Sequence, residues 1–203
     1  MGLKQAKMRI VKIEMPVYRY AELSDSAKEV VKDHVLSATR DAQGFTDSVK
    51  HTLDVLGIEE AEVYYSLGNC QGDGLCFTGS ITWNKAIEIL YIKESIAKLD
   101  KDFIKSCEDC IYSINFYKFD RMYNHCNTVT VEFEDSSWMY AEDFTKLKDI
   151  FLTWYKALCG KFEHQGYKWF YEISEEDVVE YCDNNDIEFT ANGDVFVEPT
   201  QTL

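Results

Sequence analysis

Short runs of β-branched and aromatic residues, punctuated by turn-formers, commit this chain to a sheet. The clearest punctuation is Gly68-Asn69-Cys70-Gln71-Gly72-Asp73-Gly74. Its flanks, Ala61–Ser66 and Leu75–Ile81, are rich in Val, Tyr, Phe, Thr and Ile, so the stretch reads as strand, loop, strand. Three glycines around Gln71 and Asp73 let the backbone pass close to another group while two side chains point at it. This loop is the leading site candidate.

The remaining elements follow from periodicity. Residues 8–20 read as an opening strand ended near Pro16, and Ser24 or Ser26 then caps a helix in which Ala27, Val30, Val31, His34, Val35 and Ala38 recur at three- and four-residue spacing. Gly44 is expected to break that helix, and a second one bears Val49, Leu53 and Leu56, with Gly57 at its C-terminal cap. Helical spacing returns from Ile87 to about Cys110. Ile111–Phe119 and Asn127–Glu134 alternate apolar and polar residues, which predicts a hairpin around Asp120–Asn124. The longest helical candidate runs from Ala141 to about Glu172, with Gly160 and Gly166 as points where it bends or stops. Ser174 starts a short helix, and 187–197 form a hairpin with Asn192-Gly193 at its tip. The expected class is α+β, an antiparallel sheet of four or more strands packed by helices. The expected organisation is a single domain, 1–203, with 174–203 as a small helix–hairpin appendage.

Charge narrows the partners. Lys and Arg total 21 against 36 Asp and Glu, a formal charge of -15, which repels phosphate backbones and anionic lipid. No direct nucleic-acid or membrane partner is expected. The acidity reads either as ordinary solubility or as a surface that competes for the basic groove of a nucleic-acid-handling protein. The start lacks the apolar stretch of a secretion signal, Ala6 stands where a myristoylation motif wants Ser or Thr, and no run reaches the ~18 apolar residues of a membrane span. A soluble cytoplasmic protein is expected, and its seven cysteines are expected to be reduced.

The glycine loop lacks the Lys-Ser/Thr of a Walker A loop and the spacing of a dinucleotide site. Gln71 both donates and accepts while ionised Asp73 only accepts, so the pair suits a base edge, a ribose or a partner's backbone. Alternatively, Asp73 bonds its own loop amides as a turn residue. The second constellation is Tyr123-Asn124-His125-Cys126-Asn127-Thr128. If both hairpins share a sheet, His125 and Asp73 meet at one end of it, an arrangement that general acid–base chemistry uses; otherwise His125 is structural. Cys107 and Cys110 form a C-x-x-C without the second pair a zinc site needs or a thioredoxin-like setting, so no metal and no cofactor is expected. The aromatic residues of 138–171 read as core.

Several segments together resemble a family of tailed-phage and prophage accessory proteins. Tyr18–Lys28 is similar to its "Y-x-F-x-E-L-S-x-x-A-K" opening, and Gln71-Gly-Asp-Gly74 through Gly79 to its QGDG loop. Tyr123-Asn-His125 with Val129–Glu132 matches its "Y-x-H" strand, and 171–193 its ending. Leu75 stands where the family tends to have Ala, and Cys70 where it tends to have Ser. Some members carry an antitoxin label. The resemblance implies a phage protein acting on its host.

The expected function is therefore non-catalytic: binding and inhibiting a host protein, in the manner of a counter-defence or antitoxin-like factor. The alternatives are a nucleotide-binding protein or a nucleotide-processing enzyme. The candidate binding residues are Gln71, Gly72, Asp73, Gly74, Phe77, Tyr123, His125 and Asn127, with His125 and Asp73 as candidate catalytic groups. The nearest cation in sequence that could meet a phosphate is Lys85, which weighs against the nucleotide readings.

Overall fold

The structure, a computed structural model, describes residues 14–135 and 141–198. The chain divides into two compact units, one made of Arg40–Glu172 and the other of Met1–Thr39 with Ile173–Leu203.

The larger unit is α+β. Four strands, β1 (Glu59–Ser66), β2 (Gly74–Thr82), β3 (Ile111–Lys118) and β4 (Val129–Asp135), form an antiparallel sheet in the order β1-β2-β3-β4. Three short helices, α3 (Trp83–Ala86), α4 (Leu90–Ile96) and α5 (Lys101–Cys110), make up the β2–β3 connection. Both tight connections, β1–β2 and β3–β4, consequently lie at the same end of the sheet. Helices α2 (Ala42–Val55) and α6 (Ala141–Tyr171) bury the sheet face of Leu75, Phe77, Ile81, Ile114, Phe116 and Val131. Period 2 in the strands and period 3.6 in α6, through Leu147, Phe151, Tyr155 and Phe162, bring these side chains together.

β2 and β3 pair only from Gly79 to Thr82 and then part, β2 continuing against β1 and β3 against β4. Phe77 lies just past that fork. Its N–H donates to the Tyr155 hydroxyl at 3.0 Å, and the hydroxyl donates to the Phe77 carbonyl at 2.8 Å. One phenol thus replaces a missing strand partner, and burial pushes its pKa well above the ordinary value.

Glycine punctuation misleads at three places. Gly44 does not end the first helix, α1 (Asp25–Thr39); it sits in the first turn of α2, where its N–H donates to the Asp41 carboxylate at 2.6 Å. Gly160 and Gly166 do not interrupt α6, whose apolar face carries the helix straight through both. At Gly166 a Cβ would run into Leu67 and Phe45, so the glycine lets α6 approach the chain beyond β1.

The smaller unit joins α1 to α7 (Glu175–Asn184). Ser24 accepts from the Ala27 N–H at 3.3 Å and Ser174 from the Asp177 N–H at 3.1 Å, the N-terminal caps. Ala27, Val31 and Val35 pack with Val178, Cys182 and Phe189. Of the expected opening strand, 8–13 lie outside the described residues; beyond Pro16, Tyr18 makes a single bridge to Phe189. The terminal hairpin turns at Gly193 and pairs Phe189 with Val195. Among the described residues, no helix is long and apolar enough to cross a membrane.

Candidate functional site

Because the two tight connections share one end of the sheet, the glycine loop and the Tyr123–Thr128 segment are neighbours. Asn69 (φ 58°) and Gly72 (φ 99°) take the left-handed turns of the loop, and the Asp73 N–H closes it onto the Cys70 carbonyl at 3.2 Å. A Cβ on Gly72 would stand 2.8 Å from the Tyr123 ring, and one on Gly74 2.8 Å from His125 Cδ2 and 3.0 Å from the Asn124 carbonyl. These two glycines therefore serve close packing between loop and segment. Asn124 Nδ2 adds a bond to the Tyr65 carbonyl at 3.3 Å.

Asp73 is the hub. Its carboxylate accepts from the Cys70 N–H (3.0 Å), the Cys70 thiol (3.2 Å), Ser66 Oγ (3.2 Å) and the hydroxyl of Tyr167 on α6 (2.9 Å). One turn further along α6, Tyr171 donates to the Leu67 carbonyl at 2.7 Å. The Cys70 amide foremost, and then the Cys70 thiol, Tyr167 and Ser66, lower the Asp73 pKa from 3.8 to about 2. Reciprocally, the bond to Asp73 pushes the Tyr167 phenol up to about 12 and raises the Cys70 thiol, which makes this exposed cysteine a poorer nucleophile.

His125 has a different task. Its Nδ1 accepts the Asn127 N–H at 3.1 Å, capping the 3₁₀ turn Cys126–Thr128, so the ring proton of the neutral form sits on Nε2. Its carbonyl takes the Thr128 N–H at 2.8 Å and the Thr128 hydroxyl at 2.7 Å. Asp73 and His125 share an end of the sheet but no hydrogen bond, because Asp73 is turned towards its own loop and Tyr167 of α6 and His125 Nδ1 towards its own segment.

Of the residues expected at the site, Gln71, Gly72, Asp73, Gly74, Tyr123, His125 and Asn127 gather at this end. Phe77 does not. It is fully buried, its ring centroid 4.5 Å from that of Tyr155 and 5.6 Å from that of Phe116, because strand alternation turns it onto the covered face. Tyr167 and Tyr171 join the site from an aromatic run that reads as core. Their four-residue spacing beside Gly166 is the available signal. Three large apolar side chains stand out of the β3–β4 connection: Phe119 (50% exposed), Met122 (89%) and Tyr123 (56%). Gln71 is exposed beside them, without a side-chain partner among the described residues. No cluster of metal-ligating side chains occurs among the described residues; Cys107 and Cys110 lie on α5, the one buried and the other half-buried.

The Asp73 clamp has a pH signature. A carboxylate whose folded pKa is depressed stabilises fully above its ordinary value and loses that contribution as the pH falls towards the folded one. The difference in thermal midpoint between the native chain and Asp73→Asn is therefore expected to shrink from about pH 4 to about pH 2. A difference that stays constant over this range would show that charge on Asp73 does not hold the loop.

Comparison of the chain with protein-family models, with curated proteins and with solved structures yields no match.

Proposed function

We propose that this chain is a non-catalytic binding protein that occupies a host protein, as a phage counter-defence or antitoxin-like factor does. The observation that carries the reading is the exposed trio Phe119, Met122 and Tyr123 on a connection braced from beneath by the glycine loop. Large apolar side chains displayed together on a rigid support are the usual anchors of a protein interface. The internal use of Asp73 and of His125 Nδ1 supports it, since the loop spends its strongest polar groups on its own geometry. The phage resemblance supplies the host context, and the -15 charge disfavours an anionic ligand.

The test is capture from host lysate with tagged protein. A stoichiometric host protein is expected with the native chain and at least about tenfold less of it with Met122→Ser, whose thermal midpoint should be unchanged because that side chain is 89% exposed. Equal capture by that variant would remove the tip from the interface. A nucleotide released on denaturation of the native chain, and absent from Gln71→Ala, would replace this reading with the ligand-binding one.

A further inference from the structure

The sheet has one covered face and one open face. Opposite the helices it presents Tyr64, Thr78, Ser80, Asn115 and Tyr117, none of them buried. A cleft of about 400 Å³ lies there, beside the fork between β2 and β3. Thr78, Ser80 and Asn115 supply its small polar groups, Tyr64 and Tyr117 its rings, and Glu60 and Lys118 its charges. The strand irregularity between Glu59 and Glu62 belongs to this cleft. It leaves Glu60 at φ 54°, a left-handed conformation costly for a residue with a side chain, opposite Gly79 at φ 138°. A bulge re-aims one side chain, and here the re-aimed one is a carboxylate lining the cleft.

We infer that this cleft receives arginine side chains from a basic segment of the protein partner. The inference rests on the protein-binding reading above and names the partner's chemistry. Lys118 Nζ already stands 5.4 Å from the Tyr64 ring centroid, so that ring takes a cation on its face, while Tyr117 remains 51% exposed. A guanidinium stacks on tyrosine, pairs with a carboxylate in two parallel hydrogen bonds and keeps donors for hydroxyl and amide oxygens. Tyr117, Glu60, Thr78, Ser80 and Asn115 provide each of these. The balance of charge on the face favours the same occupant. Glu62 is held by Lys50 at 3.3 Å and Glu134 accepts from Ser113 at 2.9 Å, but among the described residues no cation pairs with Glu60 or with Glu132, which is exposed further along the face. Lys118, the cation of the cleft, is engaged with the Tyr64 ring and the Arg121 carbonyl (3.4 Å) rather than with either carboxylate, which leaves Glu60 and Glu132 for a basic segment to complete.

The probe is fluorescein-labelled nona-arginine, with nona-lysine as comparison, followed by anisotropy at physiological ionic strength, where diffuse attraction to an acidic chain is screened. Nona-arginine is expected to bind at least about tenfold more tightly than nona-lysine. Tyr64→Ser/Tyr117→Ser and Glu60→Gln are each expected to weaken it by about tenfold or more. Circular dichroism checks the fold of each variant, and the conservative Glu60→Gln decides should the tyrosine pair not fold. Equal affinity for the two peptides, unchanged binding in Glu60→Gln, or no binding overturns the inference. The peptide assay needs no host protein. A cleft indifferent to arginine therefore fails here alone, while a tip whose variants still capture the same host protein fails in the reading above alone.

Discussion

Replacing Gly79 with alanine is expected to cost about 2–4 kcal/mol, read as a lower urea midpoint with the slope unchanged. Two causes add. Gly79 lies at φ 138°, where an L side chain is strained by about 1–3 kcal/mol. An added Cβ would also stand 2.7 Å from the Glu59 carbonyl oxygen, 2.9 Å from Ile58 Cγ2 and 3.3 Å from the Ala61 Cα. Two of these three atoms are backbone, so no side chain can simply swing aside. Gly160 provides the internal contrast, an exposed position inside α6 where a Cβ meets nothing within 4 Å. Gly160→Ala is expected to stabilise by about 0.5–1 kcal/mol through helix propensity. Similar midpoints for the two variants would mean that the crossing of β1 over Gly79 is not tight.

Tyr155→Phe is the second large effect. The ring is retained, stacked 5.2 Å from Phe116, so no cavity forms. What disappears is the hydroxyl that satisfies both the N–H and the carbonyl of Phe77 at the fork. A buried backbone group left unpaired costs about 1–3 kcal/mol, which puts the expected loss for the two at about 2–6 kcal/mol. Equilibrium unfolding in urea measures it. Hydrogen exchange localises it: the Phe77 amide should lose protection far more than that of Ile81, which lies within the paired stretch of β2 and β3. Unchanged stability would show that water substitutes for the phenol.

Much of this architecture is legible in the chain. Alternation in Val129–Glu134 and in Ala61–Ser66 requires a half-covered sheet, and the spacing of Leu147, Phe151, Tyr155 and Phe162 requires the helix that covers it. The meeting of the glycine loop with His125 follows from the two hairpins sharing one sheet. The roles of individual side chains are less accessible, since they depend on contacts distant in sequence. Tyr167 reaches Asp73 across 94 residues, and Tyr155 reaches Phe77 across 78. In sequence Tyr155 is indistinguishable from an ordinary core residue of an amphipathic helix, and Tyr167 is set apart only by its place beside Gly166, four residues before Tyr171. Likewise Phe77 borders the loop along the chain, and only the phase of β2 sends its ring inward rather than towards the site. The bulge at Glu60 has no local signature, because glutamate is neither glycine nor asparagine, and the conformation is imposed by the crossing over Gly79.

The smaller unit is assembled from both ends of the described chain, and this orders events at the ribosome. Residues up to Thr39 emerge first, but their packing partners begin only at Ile173, about 130 residues later. At bacterial and eukaryotic synthesis rates that interval is roughly 6–26 s. Throughout it, the Val31 and Val35 face of α1 has no Val178, Cys182 or Phe189 to cover it. The sheet unit, contiguous from Arg40 to Glu172, suffers no such delay and closes first. A truncated or prematurely released chain would therefore carry a finished sheet together with a sticky amino-terminal helix, the form most exposed to chaperones and proteases.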